Sequence, residues 1–181
     1  MTGKTHLAGG LCAGLAATAV GVHASTQPLR VFDAAPLYMI PLGLGLCVVG
    51  SLFPDIDWHT SKVGSAVKPV SRAINFLFGH RTLFHSPFIL LLIYLAWNNY
   101  LPKQLWYFFM FAVGAASHLL LDMLNVKGIP LFYPYTKHFH LLSIKHNGFG
   151  ETLIRKILFG ASVALTIVVL FLLIKNIKFA L

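Results

Sequence analysis

The chain has 181 residues and a mass of 20.0 kDa, room for one ordinary domain spanning 1–181. Hydrophobic residues make up 57% and charged residues only 10%, against about 25% charged in a typical soluble domain, which excludes a water-facing globule and a disordered chain and leaves an integral membrane protein. The formal charge is +9, from 14 Lys and Arg against 5 Asp and Glu; in a membrane protein such an excess belongs to loops lying against an anionic leaflet, and no nucleic-acid partner is implied.

A membrane-crossing helix needs about 20 apolar residues. Five runs approach that length: Leu7 to Ala24, Pro36 to Phe53, Phe84 to Tyr100, Gln104 to Leu124, and Ile157 to Ile174. The first is rich in Gly and Ala and contains Gly10-xxx-Gly14, a pattern that lets backbones approach, so this helix is expected inside the bundle. Val22-His23-Ala24 before Ser25 also reads as a passable signal-peptide cleavage site, but the run lacks a leucine core. Cys12 and Cys47 lie inside apolar runs and read as small packing residues. Between the second and third runs, Ser61 to Phe78 is basic with apolar residues at helix-like intervals, interrupted by Pro69, as in a helix lying on the membrane surface. Ser86-Pro87 suits a helix start. The stretch from Asn125 to Thr152 is long for a loop, and long loops are often lids or binding loops. The expected fold is an all-α membrane bundle of about five transmembrane helices plus a short interfacial helix.

With five spans, the N-terminus and the loops 54–83 and 125–156 share one side. That side carries 10 of the 14 Lys and Arg; Arg30, Lys103, Lys175 and Lys178 lie opposite. The positive-inside rule makes the basic side, and the N-terminus, cytoplasmic. Asp55, Asp57, Asp122 and Glu151 fall on it, as do eight of nine histidines, leaving only Asp33 and His23 opposite. A chain so poor in polar residues has placed nearly all its acids and imidazoles on one face.

Four clusters stand out there. His118 and Asp122 share a helix face inside the fourth run, and a carboxylate within a membrane segment costs up to about 2.5–3.5 kcal/mol unless it finds a partner or cavity. The pair reads as a divalent-metal pair or as a hydrogen-bonded structural pair. Pro54-Asp55-Ile56-Asp57 follows the second run; its two carboxylates repel unless a cation sits between them, though capping or solvated acids would look the same. His59 could extend that row. In His80-Arg81-Thr82-Leu83-Phe84-His85, His85 reads as a ligand, His80 as a ligand or proton shuttle, and Arg81 as a group for an anionic substrate, against plain headgroup-level polarity. Thr5-His6 enters the first run, where a lone histidine is ordinarily interfacial. His138, His140 and His146 fit a headgroup-facing loop, and Glu151 a helix cap.

Taken in this order, the four clusters resemble the bacterial and archaeal family of membrane-bound metal-dependent hydrolases, described as inner-membrane and LexA-regulated in some members. The resemblance runs from about His6 to Tyr135 and includes Gly128 and the Leu131-Phe132-Tyr133-Pro134 turn. It implies a divalent-metal site that falls, by position, on His6, Asp55, Asp57, His80, His85, His118 and Asp122; within it His6, Asp55, Asp57, His85, His118 and Asp122 read as the metal ligands, His80 as the group that moves protons and Arg81 as the one that steadies a phosphate. Zinc is favoured, with manganese or magnesium as alternatives, and two or more ions fit so many ligands. Trp58 and Phe84 depart from the family pattern, which expects a polar residue and a threonine there. Cleavage after Ala24 would discard His6, which counts against a signal peptide. The helical zinc-dependent phospholipases C are a more distant analogy.

The expected function is therefore metal-dependent hydrolysis at the cytoplasmic face of the inner membrane, with membrane lipids as partners and a lipid phosphoester as substrate. The competing readings are an ion or proton transporter using the same intramembrane groups, and a non-catalytic scaffold stabilised by metal.

Overall fold

Gly3–Ser25 forms α1, Met39–Leu52 α2, Lys62–Ala66 α3, Lys68–Phe78 α4, Pro87–Tyr100 α5, Leu105–Met123 α6 and Phe149–Ala180 α7 in a computed structural model that describes residues 1–25, 39–101 and 105–180. Arg30, Asp33, Lys103 and the expected run starts Pro36 and Gln104 lie outside the described residues, as do the side chains of Ala24, Ser25 and Lys178. Short 3-10 turns follow α2 at Phe53–Asp57 and precede α5 at Leu83–His85, and no strand occurs among the described residues. The all-helical membrane architecture is as the sequence implies.

Among the described residues, four stretches are long and apolar enough to cross a membrane: Gly3–His23, Met39–Asp57, Leu105–Met123 and Phe149–Lys175. The remaining run forms α5, whose 14 residues rise about 21 Å against a hydrocarbon core of about 30 Å. Even so, α5 carries the chain away from the end where α2 finishes, and α6 returns to it. His6 near the start of α1, Asp55 after α2, His85 before α5 and Asp122 near the end of α6 all meet at that one end.

Small residues set the packing. α1 packs on α2, α6 and α7, and α2 on α6. Gly10 and Gly14 of α1 lie against Ser51 and Cys47 of α2, and the Cys47 thiol donates to the Gly10 carbonyl at 3.2 Å. Where α2 meets α6, a methyl group on Gly114 would fall 1.9 Å from the Cys47 carbonyl oxygen, so only glycine allows this approach. The opposite extreme is α7, whose window is 11% buried against 50% for α1. The central position of α1 and the packing role of Cys47 follow the sequence expectation.

The segment at Ser61–Phe78 divides where proline requires it. Ser61 caps α3 by accepting from the Gly64 amide at 2.8 Å, and Pro69 stands in the first turn of α4, where its missing N–H costs nothing. Phe76 and Leu77 of α4 remain exposed, as suits a helix resting on a membrane surface. Ser86 caps α5, accepting from Phe88, with Pro87 at the start.

Candidate metal centre

Each member of the cluster comes from a helix end or an adjoining turn. Pro54 follows the end of α2 and turns the backbone into the 3-10 segment that presents Asp55 and Asp57. Asp57, His85, His118 and His6 are fully buried, Asp122 is 1% exposed and Asp55 21%. His118 donates from Nδ1 to the Ser51 carbonyl at 2.8 Å, since a carbonyl can only accept; this leaves Nε2 with a lone pair. His85 turns Nδ1 to Asp57 Oδ2 at 3.1 Å, so its Nε2 also faces inward. The two Nε2 atoms stand 3.4 Å apart. Asp55 Oδ1 lies 3.7 Å from the His85 nitrogen and 3.8 Å from that of His118. Asp122 Oδ2 lies 3.7 and 3.9 Å from the same two atoms. The His6 ring stacks on His118 with centroids 3.6 Å apart, and its Nε2 is 3.3 Å from Asp122 Oδ1.

This donor set fits a divalent cation. Among the described residues neither ring nitrogen of buried His6 finds a well-aligned hydrogen-bond partner, Asp122 Oδ1 at 3.3 Å being near but off line, a costly state for an imidazole. Two imidazole nitrogens facing each other this closely need a proton, carried by one of them, or a cation between them. Among the described residues, three combinations could hold an ion: His6, His118 and Asp122; Asp55, His85 and His118; and Asp57, His80 and His85. In each, the ligand atoms lie within 4.8 Å of one another.

The remaining charges gather on the same carboxylates. Asp122 pairs with the Met1 amino group and with Arg81 Nη2, the latter at 2.9 Å. Arg81 has a left-handed backbone, φ 60°, held by its amide donating to Asp57 Oδ2 at 2.9 Å and by Nη1 donating to the Gly128 carbonyl at 3.3 Å. For His85, in the turn before α5, burial works against charge, but the carboxylates of Asp55 and Asp57 and the charge of Asp122 raise its pKa to about 9.

All eight expected residues come together here, and their partners sharpen the expected roles. Both Asp57 oxygens accept hydrogen bonds, Oδ1 from His80 Nδ1 at 2.8 Å and Oδ2 from His85 and Arg81. Arg81 is engaged with Asp122 and the Gly128 carbonyl rather than projecting alone. His59, His138, His140 and His146 are outside the three combinations. Glu151 is fully engaged elsewhere: it accepts from the Thr2 amide, from the Thr5 hydroxyl at 2.7 Å and from the Asn147 amide at 2.6 Å, tying the start of α1 to the start of α7 next to His6. The scarcity of acids in the sequence is the signal that could have singled it out.

A cavity of about 480 Å³ reaches this centre, lined by Asp55, His80, Arg81, Trp58, Lys62 and Lys127 among others. Trp58 lies over His80 with ring centroids 4.7 Å apart. Trp58, one of the two residues that depart from the family pattern, thus forms part of the wall.

The YdjM inner membrane protein family matches residues 1–180. The chain belongs to the YdjM inner membrane protein family. This is the family the four motifs resemble. "Uncharacterized protein YvsG" of Bacillus subtilis (strain 168) is 35% identical over 156 residues, covering 85% of this chain and 87% of that one. "Inner membrane protein YdjM" of Escherichia coli (strain K12) is 31% identical over 109 residues, 58% of this chain and 53% of its own length, and the Shigella flexneri protein of that name matches equally. No solved structure matches.

Proposed function

We propose that this chain is a metal-dependent hydrolase that cleaves a lipid phosphoester at the cytoplasmic face of the inner membrane, with its N-terminus inside. The observation that carries the reading is the convergence of His6, His85, His118 and Asp122 with Asp55, which itself lines a cavity together with His80, Arg81, Lys62 and Lys127. Five donors exceed one tetrahedral site and favour more than one ion; imidazoles suit zinc, and carboxylates also suit manganese or magnesium. When bound, such an ion lowers the pKa of a water toward neutrality and draws charge from a phosphoryl oxygen.

The chain's own groups supply the rest. Asp57 fixes the rings of His80 and His85 through their Nδ1 atoms. His80 is left with Nε2 to take the proton of the attacking water and pass it to the leaving oxygen as the phosphorus–oxygen bond breaks. Lys62 and Lys127 draw in the anionic group, and Arg81 meets it beside Asp122. The location favours catalysis over transport. A path across the bilayer needs polar groups at several depths, whereas Thr18, Ser162 and Thr166, deeper in the helices, spend their hydroxyls on carbonyls of their own helix.

The test is element-resolved metal analysis of the purified protein, followed by assays of phosphate and diacylglycerol release from phospholipid vesicles. The reading expects bound divalent metal and release abolished by a chelator. Metal without release across a panel of phosphomonoesters and phosphodiesters would leave a metal-stabilised scaffold, and absence of metal would overturn both.

A further inference from the structure

A second cavity, of about 490 Å³, lies between α1 and α7 and shares no lining residue with the first. Its walls are Lys4 and Ala8 of α1 and Arg155, Lys156, Phe159 and Gly160 of α7. The spacing divides it into two levels. Lys4, Arg155 and Lys156 stand near the helix starts, while Ala8, Phe159 and Gly160 lie about 6 Å further along, one turn toward the apolar interior. The lower level is open: a methyl group on Gly160 would meet nothing within 4 Å, and Phe159 is 65% exposed.

The three cations have no counter-ion among the described residues. Among the described residues, Asp55, Asp57 and Asp122 belong to the metal centre, and Glu151, one turn before Arg155, is turned toward Thr2, Thr5 and Asn147. None of Lys4, Arg155 or Lys156 forms an ion pair with any described residue. Three like charges converging from two helices repel unless an anion joins them. Topology alone asks for basic residues near span ends, but not for their convergence over an apolar slot. We infer that this groove is a binding site for an anionic phospholipid, its phosphate held by Lys4, Arg155 and Lys156 and an acyl chain laid over Ala8, Phe159 and Gly160. The occupant is a lipid rather than free phosphate because the slot below the charges is apolar and opens on α7, the least buried span. The inference does not depend on the chain being an enzyme.

Native mass spectrometry of the full chain in detergent, with added phosphatidylglycerol, phosphatidylcholine or inorganic phosphate, tests it. Retained phosphatidylglycerol should exceed phosphatidylcholine by about tenfold or more, given the attraction of each Lys or Arg for anionic lipid, and inorganic phosphate should not be retained. The triple variant Lys4→Gln, Arg155→Gln, Lys156→Gln should lose that preference. An equal charge removal on the loops and surface helix, Lys68→Gln, Lys137→Gln, Lys145→Gln, should keep it. Gly160→Leu retains every cation and has room for its side chain, yet fills the slot, so it should weaken retention several-fold; it also guards against a triple variant that fails to fold. Equal retention of the two lipids by the unaltered chain, equal loss in the control triple, or undiminished retention by Gly160→Leu would each overturn the inference.

Discussion

His6, His85 and His118 are fully buried, whereas His138, His140 and His146 stand exposed on the loop between α6 and α7. The two sets share a residue type and one end of the molecule. The exposed imidazoles meet their needs cheaply: His138 Nδ1 lies 3.0 Å from the Lys127 carbonyl, and His146 is 64% exposed. The buried ones face each other and three carboxylates, with His6 lacking a hydrogen-bond partner among the described residues. Burial with unmet valence, rather than histidine content, marks the site, because an unpaired polar group costs far more inside than in water.

Substitutions can break or sharpen this contrast. The largest effect is expected from Asp122→Ala or His118→Ala, each of which removes a donor from the cluster; bound metal, measured per chain, should fall to background. Next comes His80→Asn, which should retain metal while turnover drops about 10²–10⁴-fold if His80 moves the proton. Asp57→Asn withdraws the carboxylate that orients His80 and His85 and should weaken metal affinity about 10–100-fold, read by competition with a chelator. The paired change His138→Ala, His140→Ala should leave metal content and thermal unfolding unchanged. A large loss of metal there would erase the distinction between the two sets.

Much of this was legible in the sequence. Apolar runs marked α1, α2, α6 and α7, Pro69 marked the α3–α4 break, and Ser86-Pro87 marked the start of α5. The gathering of Asp55, Asp57, His85, His118 and Asp122 at one end followed from span parity alone. The partnerships were not legible. That Asp57 would spend both oxygens on His80, His85 and the Arg81 amide depends on a turn whose geometry no spacing rule encodes. Arg81 looks free in a linear reading, yet in three dimensions it neutralises Asp122. Glu151 reads as a local cap but reaches Thr2 and Thr5, nearly 150 positions earlier, because α1 and α7 lie side by side. The third run forms a helix of only 14 residues because its first part is taken by the turn that buries His85.

X-ray absorption at the edge of any metal found to co-purify with the chain probes the shared pocket most directly. The account predicts a shell of nitrogen and oxygen donors carrying the multiple-scattering signature of at least two imidazoles, lost in His118→Ala. A shell of oxygen alone, or one unaltered by that substitution, would contradict it.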